Sequence, residues 1–150
     1  MPLESGADAP AIEAQTETGD LVSPSFDEPT VVYFYPRDDT PGCTIEAKQF
    51  DAERPSYDDA GVTVYGVSTD GVESHADFVE KYDLDVTLLA DPDGEIAEAF
   101  GLDVSRGAAP RTTFVLDDGS VTAVYEGVDP DGHAREVLDD LLDQGVVELE

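Results

Sequence analysis

Cysteine is almost absent from this 150-residue chain, with Cys43 the sole example. An intrachain disulfide is therefore excluded, and with it the stapled architecture of small secreted domains; the thiol is expected to stay reduced. Basic residues are scarce as well: 7 against 36 acidic ones, for a formal net charge of −29. Such a surface repels phosphate backbones and anionic lipid heads, so nucleic acid and membrane surfaces are not expected partners. Long apolar runs are missing. Val31-Val32-Tyr33-Phe34-Tyr35 falls far short of the roughly 18–20 residues that cross a bilayer. Met1-Pro2-Leu3-Glu4-Ser5 has neither the basic start nor the apolar stretch of a secretory signal, which makes the cytoplasm the expected location. Lysine is confined to Lys48 and Lys81. A surface so poor in lysine suits multimolar salt, where the Debye length is about 3 Å and self-repulsion is screened, so a halophilic cytoplasm is expected.

What remains is a chain that is 40% hydrophobic, with its acids dispersed among regular apolar segments, unlike the apolar-poor composition of disordered chains. Its length suits one domain over residues 1–150 that buries about 70% of its unfolded surface. Repeats and linkers are lacking.

Residues 31–35 and 62–67 are continuous β-branched and aromatic runs, the pattern of central strands covered on both faces. Ile45 and Phe50 mark a helix from about 43 to Arg54, which Pro55 should end or kink. Further helices are predicted at 74–82, from Phe78, Val79 and Tyr82, and over Ile96, Ala97, Ala99 and Phe100, with Gly101 as a stop. Residues 112–116 and 121–125 flank Asp118-Gly119 and read as a hairpin, and Val137, Leu138, Leu141 and Leu142 give a closing amphipathic helix. Ala11-Ile12-Glu13-Ala14 and Leu21-Val22 suggest a short N-terminal hairpin. The order βαβα followed by ββα predicts an α/β, thioredoxin-like fold: a mixed central sheet flanked by helices on both faces.

Cys43 follows a strand by a few residues and opens a helix, which places it at the carboxyl end of a strand, where open α/β sheets bind ligands. Thr40 has the side chain of an N-cap and Pro41 suits the first helical position, so Cys43 is the third. Free amides and the positive end of the helix dipole there favour a nucleophilic thiolate. A lone cysteine is equally read as a small buried hydrophobe, Thr40 as a cap and nothing more, and Glu46 as lying on a solvated or ion-paired face. His75 and His133 are isolated, without zinc spacing, and His75 reads as packed or capping. Asp91-Pro92-Asp93-Gly94-Glu95 places its glycine too early for an EF-hand and reads as a turn. Neither a metal nor another cofactor is expected.

At this loop the sequence resembles the peroxiredoxins. Pro36, Thr40 and Cys43 match their Pro-x-x-x-Thr-x-x-Cys loop, and Tyr-Pro-x-x-x-Thr-Pro-Gly-Cys-Thr is similar to the bacterioferritin-comigratory, or peroxiredoxin Q, branch. Gly66-Val67-Ser68-Thr69-Asp70, Ser74-His75 with Phe78, Lys81-Tyr82, Leu88-Leu89-Ala90-Asp91 and Pro110 through Leu116 resemble later blocks of that branch, in order, over roughly residues 5 to 145. The resemblance implies that Cys43 attacks a peroxide oxygen and becomes a sulfenic acid. It also implies that Thr40 hydrogen-bonds the peroxide, that Arg111 stabilises the thiolate and the charge growing on the oxygens, and that Pro36 shields the pocket. Amides of Gly42 and Cys43 would complete the cradle. Taken alone, Arg111 reads as a surface or strand-end arginine. Pro110 raises the question of a cis peptide, as in the related thioredoxin fold.

Many members of the branch carry a resolving cysteine five residues after the first; here that position is Lys48. The implied cycle therefore uses one cysteine, and its sulfenic acid is reduced by an outside thiol, either a small molecule or a thioredoxin-type protein. The expectation is a thiol-dependent peroxidase acting on hydrogen peroxide or organic hydroperoxides, as a monomer or weak homodimer. The rival is a redox sensor or regulatory binding module in which Cys43 is oxidised stoichiometrically.

Overall fold

In the computed structural model, residues 3–24, 26–38, 40–104, 109–127, 129 and 131–143 are described. The chain runs β1 (Ala14–Thr16), β2 (Leu21–Val22), β3 (Thr30–Phe34), α1 (Pro41–Asp59), β4 (Thr63–Ser68), α2 (Val72–Tyr82), β5 (Thr87–Ala90), α3 (Glu95–Ala99), β6 (Thr112–Asp117), β7 (Ser120–Glu126) and α4 (His133–Asp143). All seven strands share one sheet in the order β2-β1-β5-β4-β3-β6-β7. β3, β4 and β5 are parallel, whereas β6 runs antiparallel to β3 and β1 antiparallel to β5. The sheet is mixed, as the element pattern predicts.

Alternation along β3 divides the interior in two. Val31 and Tyr33, with Tyr35 just beyond the strand, pack against Phe50 and Tyr57 of α1, Phe78 of α2 and Val137, Leu138 and Leu141 of α4. Val32 and Phe34 face Ile96 and Ala97 of α3, together with Phe26, Phe100 and Phe114. Burial of each such side chain contributes roughly 1.5–3 kcal/mol. Helices thus cover both faces. Among the described residues no helix is long and apolar enough to cross a membrane.

Three sequence expectations need correction. α1 does not end at Arg54; it continues through Pro55 to Asp59. The proline leaves the Asp51 carbonyl without its helical amide, yet the turn beyond is fixed from outside. Tyr57 is fully buried and its hydroxyl donates to the Ala134 carbonyl at 2.6 Å, while Arg54 pairs with Asp58 and Asp85. β5 was not among the predicted strands. Its four residues lie between two helices and are covered on both faces, so they show no polar alternation; Leu88 and Leu89 are completely buried. At the N-terminus the hairpin forms, but with Ala14 opposite Val22 and Gln15 opposite Leu21, and residues 11–13 lie outside the strands.

Other turns follow their side chains. Asp118 and Gly119 both take positive φ, 53° and 74°, between β6 and β7, as a tight hairpin requires. The Asp91 carboxylate accepts the amides of Ile96 and Ala97, each at 2.9 Å, so this turn caps α3. None of the described peptide bonds is cis, and the bond preceding Pro110 is trans.

Candidate active site

Cys43 is the third residue of α1, in the turn of helix that follows β3, and is 1% exposed. Thr40 occupies the N-cap position with extended φ −101° and ψ 155°, and Pro41 opens the helix. The expected side-chain cap is absent. Thr40 Oγ1 instead donates to the Arg37 carbonyl at 3.0 Å, while its own carbonyl accepts the Thr44 amide at 2.8 Å. With its proton committed to Arg37, the hydroxyl presents lone pairs, and the first amides of the helix, including those of Gly42 and Cys43, are not taken up by it. Pro36 sits half-buried in the turn leaving β3; Asp39 of the same motif lies outside the described residues.

Arg111 reaches this sulfur through sheet pairing. Phe34, the end of β3, pairs with Thr112, so Arg111 stands one residue before β6, in strand phase with Thr113 and with Val115 of the α1-side core. Its Nη2 donates to Cys43 Sγ at 3.3 Å and its Nη1 to Glu46 Oε1 at 2.7 Å. One planar guanidinium thus bonds both the sulfur and the carboxylate. Burial pulls the guanidinium's pKa down, but Cys43 and Glu46 outweigh it and the net shift is upward.

Glu46 was not among the expected site residues. It is three residues after Cys43, hence on the same helical face, and its side chain is 0% exposed. Of its two sequence readings, the ion-paired one holds and the solvated one does not. Burial pushes its carboxyl up to about 7 against the opposing Arg111 charge. Its second oxygen, Oε2, is buried and has no hydrogen-bond partner among the described residues. Tyr33, stacked on Phe50 at 4.4 Å between ring centroids, keeps its proton: burial, then the charges of Glu46, Asp38 and Cys43, push its phenol well up.

The hydrogen bonds of both histidines go to groups other than the sulfur. His133 Nε2 is 2.8 Å from Thr113 Oγ1, and His75 is buried against Asp38 and the Leu89 carbonyl. Among the described residues no group of three or more His, Cys, Asp or Glu is arranged to hold a metal ion. What the assembled residues can do is hold an anionic sulfur at a helix N-terminus beside a fixed cation, an arrangement suited to nucleophilic attack that develops negative charge on the atoms attacked.

Residues 5–124 match the AhpC/TSA family. A Coxiella burnetii protein assigned to the bcp peroxiredoxins is 39% identical over 150 residues, covering 92% of this chain and 98% of that protein. Among solved structures, peroxidoxin BcpB of Mycobacterium tuberculosis superposes with a TM-score of 0.87 at 33% identity, covering 94% of this chain and 97% of the other. The bacterioferritin comigratory protein of Xanthomonas campestris, described for its alkyl peroxide reduction activity, gives a TM-score of 0.85 at 30% identity, covering 96% and 99%. The mixed sheet with four helices is the thioredoxin-like fold of these structures.

Proposed function

The chain belongs to the AhpC/TSA family, as a peroxiredoxin related to the Bcp and peroxiredoxin Q proteins, and from that premise we propose that it runs a one-cysteine peroxidase cycle through Cys43. Thiol-dependent reduction of peroxides is the activity of the family; the single-cysteine route, the site roles and the reductant are this reading's own. In the first half-reaction the Cys43 thiolate attacks the nearer oxygen of hydrogen peroxide or an organic hydroperoxide. An S–O bond forms and the O–O bond breaks; the departing oxygen takes up a proton from solvent and leaves as water or an alcohol, and a sulfenic acid remains on Cys43. In the second, an external thiol attacks that sulfur, forming a mixed disulfide and releasing water. Another thiol then returns Cys43 to its reduced state and leaves as a disulfide.

The observation that carries this reading is the 3.3 Å contact from Arg111 Nη2 to Cys43 Sγ at the start of α1. Thr40, with lone pairs free, accepts a hydrogen bond from the peroxide O–H; Gly42 and Cys43 amides face the oxygens; Pro36 limits water. The one-cysteine step rests on the sequence, where Lys48 occupies the branch's usual resolving position. That lysine is exposed, its ammonium 4.7 Å from the Tyr82 ring centroid. The reductant is a low-molecular-weight thiol or a thioredoxin-like protein, and the proposal includes a high-salt cytoplasm and a monomer or weak homodimer. Peroxide consumption with excess thiol at high salt is the test. Wild type should turn over repeatedly and Cys43→Ser not at all, with a Cys43–thiol mixed disulfide visible by mass. One stoichiometric oxidation without regeneration would replace the enzyme with the sensor.

A further inference from the structure

The active-site turn is secured by one buried side chain. Asp38 lies between Pro36 and Thr40 and its carboxylate is 4% exposed, although Arg37 beside it is exposed. Its Oδ1 accepts the Tyr35 hydroxyl at 2.6 Å; its Oδ2 accepts the Ser74 hydroxyl at 2.8 Å and lies 2.7 Å from His75 Nδ1. Its backbone amide donates to Asp70 Oδ2 at 2.7 Å, and that oxygen also takes the Ser68 hydroxyl at 2.8 Å. One residue thus ties the turn to the end of β3, to the β4–α2 connection and to the first turn of α2.

The histidine's orientation is fixed independently. His75 is completely buried, and its Nε2 lies 3.0 Å from the Leu89 carbonyl, which can only accept, so Nε2 carries a hydrogen. A second hydrogen then lies between Nδ1 and Asp38 Oδ2. Buried polar groups satisfied this completely hold one geometry, because releasing either leaves an unpaired group in an apolar surround.

The two half-reactions make opposite demands on this turn. Peroxide is small and needs Thr40 and the α1 amides fixed around Cys43 to within a fraction of an ångström. A thiol reductant is bulkier and must approach in line a sulfur that is 1% exposed, which requires the turn to move away. We propose that Asp38, held by His75, Tyr35 and Ser74, is a positioning residue that clamps the chain at Pro36–Asp38, ahead of Thr40, in its peroxide-reactive form and must let go for thiol reduction. The proposal rests on the peroxidase reading above.

The test separates the half-reactions at high salt. Sulfenic acid formation at Cys43 is timed after mixing the reduced chain with hydrogen peroxide; mixed-disulfide formation is timed after mixing the oxidised chain with 2-mercaptoethanol, both by mass. Asp38→Ala should slow the first about tenfold or more and speed the second several-fold. Asp38→Asn should restore both towards wild type, because its oxygen still accepts from Tyr35 and its amide can donate to Nδ1 of a neutral His75. If Asp38→Ala does not fold, Tyr35→Phe, which removes one donor, should give the same split at smaller amplitude. Equal slowing of both steps, no change in either, or failure of Asn to restore them would overturn the clamp. A wild-type chain inert to peroxide would sink the peroxidase reading itself, whereas an active wild type without the split sinks only the clamp.

Discussion

Glu46 shows what a single buried carboxylate does to this site. It is fully covered and its carboxyl is pushed up to about 7 by burial, with Arg111 opposing. In the unfolded chain it titrates in the ordinary carboxylate range, so between roughly pH 4.5 and 7 the folded form holds a proton that the unfolded form has released. Stability at this position therefore falls as pH rises through that window and is level above it. Glu46→Gln keeps an acceptor for Arg111 and removes the titration. Unfolding free energies of wild type and Glu46→Gln at high salt should diverge from pH 4.5 to 7, with the variant gaining up to about 3 kcal/mol; parallel profiles would show that the carboxylate's burial is compensated. Among the candidate-site residues, the positions of Cys43 and Thr40 were legible because local spacing alone puts them at a helix start. Arg111 is 68 residues from Cys43 and becomes a site residue only through sheet register, so resemblance rather than spacing identified it. Glu46 left a faint signal, its three-residue offset from Cys43, but that offset also fits an outward-facing pair.

At the scale of elements, α1 shows local propensity losing to packing. Pro55 reads as a terminator because the ring removes one helical hydrogen bond and crowds the preceding turn. The helix nevertheless extends to Asp59, held by buried Tyr57 and its bond to α4 and by the Arg54 contacts to Asp58 and Asp85. The proline thus remains as a local cost inside an element stabilised from elsewhere. Pro55→Ala restores the amide facing the Asp51 carbonyl, while the freer unfolded chain offsets part of the gain. A stabilisation of about 2 kcal/mol is expected, seen as a melting temperature several degrees higher at fixed salt; an unchanged or lower value would mean that α1 is shaped around the ring. β3, β4 and the β6–β7 hairpin were legible because their residue types and turn chemistry agree with their final environment. β5 was not: four residues covered on both sides carry no period to read.

At the scale of the molecule, the charge of −29 sets the conditions under which either core can form. Arg54 and Arg135 each bridge two acids at the surface, Asp58 and Asp85 for the first and Glu53 and Asp139 for the second. Exposed pairs of this kind contribute little, about 0–1 kcal/mol apiece. They cannot offset the mutual repulsion of an acidic shell in dilute solution. Screening can: multimolar salt shortens the reach of each exposed charge to about 3 Å, while the largely buried Arg111–Glu46 pair is screened much less. The fold should therefore depend on ionic strength rather than on any particular counter-ion. Dialysis from multimolar to millimolar potassium chloride should progressively lower the melting temperature and then abolish the far-ultraviolet dichroism of the helices. Sodium chloride at equal ionic strength should restore it. A neutral osmolyte such as sucrose, which favours compact states by exclusion but screens nothing, should restore it less. Unchanged dichroism at low ionic strength would show that the acidic shell is tolerated without screening and would remove the argument for a high-salt setting.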